Sequence, residues 1–179
     1  MIDRPATRVL ERGILVAALL LFFALATGAA LALSPTNDEP IHLTRGAALS
    51  QSGDLSLQFE HTPLSHRLIG ALLPTEPTLP LVERLATRPT NDRPTIAHEL
   101  LWESGLNVER AILLGRLPII WSGLLLGAAL ALWVTAVARR PSALMVALFL
   151  YAASPNLLAS AALATTDFAA AVTFFATVC

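Results

Sequence analysis

GILVAALLLFFALATGAALAL, from Gly13 to Leu33, carries no charged residue and decides the class of the fold. At ~1.5 Å per residue the stretch crosses a ~30 Å hydrocarbon core as one helix. A secretory signal peptide is the alternative, because Ala30-Leu31-Ala32 vaguely resembles a cleavage site, but signal cores run only ~7–15 residues. Working outward, residues 117–138 and 142–164 read as two further spans, separated by Arg139-Arg140-Pro141. Basic residues near span ends favour the cytoplasm, so Arg4, Arg8 and Arg12 place residues 1–12 inside, together with the turn 139–141. Residues 34–116 then lie outside. Their seven arginines do not overturn this topology, since long segments translocate largely regardless of charge. Phe168 to Cys179 starts a fourth apolar run within 165–179, shorter than the ~20 residues a crossing needs. The expectation is an N-terminal part of a longer protein, inactive by itself.

Composition agrees with a membrane class. The chain of 179 residues is 55% hydrophobic and 14% charged, too apolar for an ordinary soluble domain of this length. Its formal net charge of -1 gives no electrostatic footprint for nucleic acid. Every basic residue is arginine, dispersed along the chain, which reads as a compositional bias. The single cysteine, Cys179, excludes an intrachain disulfide and any cysteine-based metal cluster.

The outer loop is more than a linker. Pro40 suits the first turn of a helix with Asp38 or Glu39 at its start, and the pattern runs to Gly53. Thr62-Pro63 opens a second short helix in which Leu64, Leu68 and Leu72 share a face. That stripe, beside His66 and Arg67, suits either the bilayer surface or packing against the protein's own spans. Pro74, Pro77, Pro80, Pro89 and Pro94 make the middle irregular, and from Ile96 to Gly115 a helical pattern leads into the second span. Gly123 and Gly127 form a GxxxG pair that permits close helix approach, within the chain or between copies.

Asp38, Glu39 and His42 fall within one helical turn, so all three can face one pocket near the membrane surface. The plainer reading is a helix start with dipole-stabilising acids. Asp167 follows Thr165-Thr166 at the outer end of the third span, on the side of Asp38, where it also suits the N-cap of a fourth helix. Two acids brought to one face from separate segments suit an acid/base or metal-assisted site. Arg116, at the outer end of the second span, suits a lipid phosphate or simple snorkelling. His42 and His61 are candidate ligands for a divalent metal ion, although their spacing matches no compact zinc signature.

The ordered set resembles a known family. It comprises Asp38-Glu39-Pro40-Ile41-His42 with Gly46, Ser52-Gly53-Asp54-Leu55, Glu60-His61-Thr62-Pro63-Leu64, Leu72-Leu73-Pro74, Gly115-Arg116-Leu117-Pro118, Tyr151-Ala152-Ala153-Ser154-Pro155-Asn156-Leu157-Leu158-Ala159 and Ala164-Thr165-Thr166-Asp167. It is similar to the start of the GT-C membrane glycosyltransferases of the protein mannosyltransferase and aminoarabinose transferase type, glycosyltransferase family 39. The likeness runs from Val9 to Cys179 and is weakest across the proline-rich middle. It departs at His61-Thr62-Pro63-Leu64, where relatives usually carry two consecutive prolines. The resemblance implies an all-α, polytopic fold with short surface helices on the first outer loop, in a cell membrane, that of a bacterium. It implies inverting transfer of a sugar from a polyprenyl-phosphate donor to a hydroxyl of a lipid, glycan or protein acceptor on the outer face, with no nucleic acid partner. Asp38 is then the base, Asp167 and Glu39 are supporting acids, and His42, His61 and Arg116 bind substrate. The rival expectation is a non-enzymatic carrier or scaffold whose outer acids only cap helices.

Overall fold

A computed structural model describes residues 4–53, 55, 63–75, 78, 82 and 93–178. Among them the chain is helical, with turns and no strands. The first helix, α1 (Arg4–Ala32), covers 29 residues, about 43 Å at ~1.5 Å per residue. Ala18, Phe22, Ala26 and Ala30 recur every fourth position and form its buried stripe. Val16, Leu20, Leu25 and Leu31 stay exposed on other sides. Alanines turned inward around Phe22, with large aliphatic residues outward, is the pattern of a helix that packs closely while facing lipid.

The segment between the two long helices carries α2 (Glu39–Ser52), α3 (Pro63–Gly70) and α4 (Arg93–His98). Pro40 sits in the first turn of α2, and Gly53 ends it at φ 72°, a left-handed cap that glycine adopts without strain. α2 packs mainly on α3, and the two backbones meet at Gly46 and Gly70. A Cβ on Gly46 would lie 2.7 Å from the Gly70 nitrogen and 2.8 Å from the His66 carbonyl oxygen, and a Cβ on Gly70 would run into the Gly46 carbonyl. The contact face of α3 is therefore Ser65, His66, Ile69 and Gly70. Of the leucine stripe expected to meet either the bilayer surface or the protein's own spans, Leu64 is exposed and Leu68 and Leu72 are partly so. Close backbone approach selects the smallest residues, and this outweighs the apolar pattern.

The continuous helix expected over residues 96–115 is broken. After α4 the backbone widens into a π-helical turn, Glu99–Glu103, then stops. Ser104 Oγ donates back to the Leu100 carbonyl, Gly105 adopts φ 84°, and Asn107 Oδ1 accepts from the Arg110 N–H at 2.9 Å, starting a new helix. That helix, α5 (Val108–Ala138), is one 31-residue rod beginning nine residues before the apolar span. Arg139, at φ 51°, turns the chain into α6 (Pro141–Ala153).

Residues 142–164 do not form one straight span. α6 and α7 (Pro155–Ala161) meet at a 54° bend. Pro155 excludes the helical conformation at Ser154, which takes φ -70° and ψ 114°, and the serine hydroxyl then accepts from the Leu157 N–H. The last helix described, α8 (Thr166–Val178), is apolar but only 13 residues long. Among the described residues, α1 and α5 are long and apolar enough to cross a membrane, and the bent pair adds a third crossing if it acts as one span.

These helices share one core. Phe22 stacks on Tyr151 with ring centroids 4.7 Å apart, and the Tyr151 hydroxyl donates to the Gly123 carbonyl at 2.5 Å. A Cβ on Gly123 would meet the Phe22 ring, and one on Gly127 would meet Leu19 and Tyr151. Both glycines of the GxxxG pair are thus occupied by contacts within the chain.

Candidate functional site

The end of α1, the start of α2, the upper part of α5 and the turn before α8 converge on Glu39. Because α1 and α5 are antiparallel, Arg116, two turns into α5, lies beside the last turn of α1. There Arg116 Nε donates to Glu39 Oε1 at 2.8 Å and Nη2 donates to Oε2 at 2.7 Å, a two-pronged pair. The remaining guanidinium hydrogens go to backbone carbonyls. Nη1 donates to Ala30 and Leu33, at 2.5 and 2.9 Å, and Nη2 to Ser34 at 3.2 Å. Arg116 and Glu39 are 1% and 0% exposed. All five N–H groups of Arg116 are taken up inside the protein. The lipid-phosphate contact expected of it has no donor in this geometry.

Glu39 is equally saturated. Beyond Arg116 it accepts from the Ala164 N–H at 2.8 Å, the Thr36 N–H at 2.9 Å and the Thr36 hydroxyl at 3.3 Å. Burial pushes its carboxyl up, but the Arg116 hydrogen bonds, the Ala164 and Thr36 N–H groups and the guanidinium charge together hold it below its ordinary value of 4.5. A buried carboxylate fixed by five donors is a tie, not a base. One side chain therefore joins the end of α1, the start of α2, the upper part of α5 and the turn before α8.

Asp38 is the opposite case. It precedes α2, and its carbonyl accepts from the Ile41 and His42 N–H groups at 3.1 Å. Its carboxylate makes no capping hydrogen bond and is exposed. Asp167 is exposed in the first turn of α8. The Glu39–Ala164 bond ties the residue after Asp38 to the turn three residues before Asp167.

His42 turns inward. Its Nδ1 lies 3.0 Å from His66 Nε2 on α3, both rings buried, so one nitrogen donates and the other accepts. His66 was not among the site residues expected, and no spacing rule links two histidines 24 positions apart. The expected contribution of His61 lies outside the described residues. Among the described residues, which exclude His61, no group of three or more His, Cys, Asp or Glu gathers to hold a metal ion. No protein-family model, curated protein or solved structure matches the chain.

Proposed function

We propose that this chain forms part of an inverting membrane glycosyltransferase of GT-C type, which moves a sugar from a polyprenyl-phosphate donor to an acceptor hydroxyl on the outer face of a cell membrane. The observation that carries the reading is the contrast between adjacent acids. Glu39 is locked by Arg116, Thr36 and Ala164, while the Asp38 carboxylate, one residue away, is exposed and does not cap its helix. The Asp38 carboxylate, free of any capping hydrogen bond, supports this reading over a scaffold whose acids only cap helices. An acid on a rigid mount, open to solvent at the end of apolar spans, suits a general base.

In this reading the acceptor oxygen attacks the anomeric carbon and its proton passes to Asp38. The bond from that carbon to the phosphate oxygen breaks on the opposite side, and the electron pair leaves with the lipid phosphate. The phosphate is already a good leaving group, so no strong general acid is needed. Asp167 orients the acceptor from the neighbouring helix start. Glu39 and Arg116 are positioning residues. They fix the start of α2 against the ends of the spans and so set where Asp38 stands.

Replacement of Asp38 with asparagine in the intact protein tests the assignment. Transfer from a lipid-phosphate sugar, followed by lipid phosphate release, is expected to fall about 10²–10⁴-fold with membrane insertion unchanged. Activity within a factor of a few of the parent overturns the catalytic role.

A further inference from the structure

A second polar feature sits at the membrane boundary and shares Arg116 with the Glu39 pair, its charged rim being built by Glu109 and Arg110 of α5. A cavity of about 760 Å³ opens between the last turn of α1 and the first turns of α5, within the ~300–1,000 Å³ of small-molecule sites. Its apolar wall is Leu31, Leu33, Ile112 and Leu113. Leu31 is also 67% exposed on the outside of α1, so this wall runs directly onto the lipid-facing side of the helix. The cavity is thus open to acyl chains from the side.

Its polar rim carries two charges. Glu109 and Arg110 both line the cavity, are exposed, and make no ion pair among the described residues. Arg116 also contributes to the lining, but Glu39 neutralises it. The rim therefore offers one cation and one anion side by side, with no net charge. Trp102, half exposed and stacked on His98 at 5.1 Å, stands at the same opening. Such amphipathic rings mark the headgroup level of a bilayer.

We propose that this groove binds a phospholipid with a zwitterionic, primary-amine headgroup of the phosphoethanolamine type. Arg110 grips the phosphate and Glu109 accepts from the ammonium, while the first carbons of the acyl chains lie on Leu31, Leu33, Ile112 and Leu113. Charge complementarity selects the headgroup. An anionic phosphoglycerol lipid leaves Glu109 facing extra negative charge, and a phosphocholine lipid has no N–H to donate to it.

The test offers the intact, purified protein an equal mixture of phosphatidylethanolamine, phosphatidylcholine and phosphatidylglycerol with matched acyl chains, and counts retained lipid by native mass spectrometry. Phosphatidylethanolamine is expected to be retained roughly tenfold over the other two, the size of one charge-assisted hydrogen bond. Arg110→Gln is expected to lower retention of all three lipids, and Glu109→Gln to abolish the ethanolamine preference and favour phosphatidylglycerol. Soluble phosphoethanolamine, lacking chains, is expected not to displace the lipid; displacement at equal concentration contradicts the lateral acyl site. Both residues are exposed, so far-ultraviolet circular dichroism should match the parent. Equal retention of the three lipids by the parent, or a preference unchanged in both variants, overturns the proposal.

Discussion

Removing either partner of the Glu39–Arg116 pair probes whether one buried contact holds this end of the helices together. Glu39→Leu leaves a guanidinium buried without a counter-charge, and Arg116→Met leaves a buried carboxylate. Breaking a buried pair from one side costs about 3–5 kcal/mol. For a chain of this size that corresponds to about 6–20 °C in Tm, at ~2–4 °C per kcal/mol. The double variant buries no charge. It still lacks partners for the Ala30 carbonyl and the Ala164 N–H, both in buried residues, at about 1 kcal/mol each. Water replaces the others near exposed Leu33 and Ser34. The double variant is therefore expected to recover at least about 2 kcal/mol relative to the sum of the singles. Thermal unfolding of the four proteins in one detergent, followed by far-ultraviolet circular dichroism, gives the cycle. Single variants within about 1 kcal/mol of the parent, as exposed pairs behave, or strict additivity, refute the reasoning.

Two further outcomes follow from the same geometry. The Glu39 carboxyl is held below 4.5 in the folded protein, so its contribution to stability is fully present above that value and lost as pH falls through the lower, folded value. The parent's Tm is expected to hold from neutral pH to about 5 and to fall below about 4.5 more steeply than that of the E39L/R116M variant; parallel curves contradict the assignment. Gly70→Ala places a methyl against the Gly46 carbonyl, and overpacking of this kind costs about 1–3 kcal/mol. Hydrogen exchange is expected to quicken in α2 and α3 while α1 and α5 keep their protection; unchanged exchange in α2 argues against the close crossing.

Much of the helical framework was legible in the chain, because its signals are local. The charge-free run ending at Leu33 marks α1, and Pro40 and Gly53 bracket α2 through first-turn and left-handed cap preferences. Pro63 opens α3 where its motif suggests. The break at Ser154 also had a local signal, Pro155, but the apolar character of residues 142–164 concealed it. The stop at residues 104–107 needed serine, glycine and asparagine to be read as a helix end followed by a new cap. The site was less legible. Glu39 meets Arg116 across 77 positions and Ala164 across 125, and His42 meets His66 across 24. No periodicity records such pairings, so the neighbouring acids at 38 and 39 looked alike in sequence although the fold separates them completely.

The turn before α8 completes the shell of Glu39 from far along the chain. During synthesis α1 and α2 emerge first, yet the carboxylate cannot be buried without its counter-charge until Arg116 arrives, and Ala164 supplies its last N–H later still. At about 5–20 residues per second, the 125 positions between Glu39 and Ala164 take roughly 6–25 s. Through that interval the segment that begins with α2 keeps a hydrated acid at its start. The hydrogen bond from Ala164 therefore dates the moment at which α2 and α3 acquire their final seat, after the second long helix and the bent pair have been made.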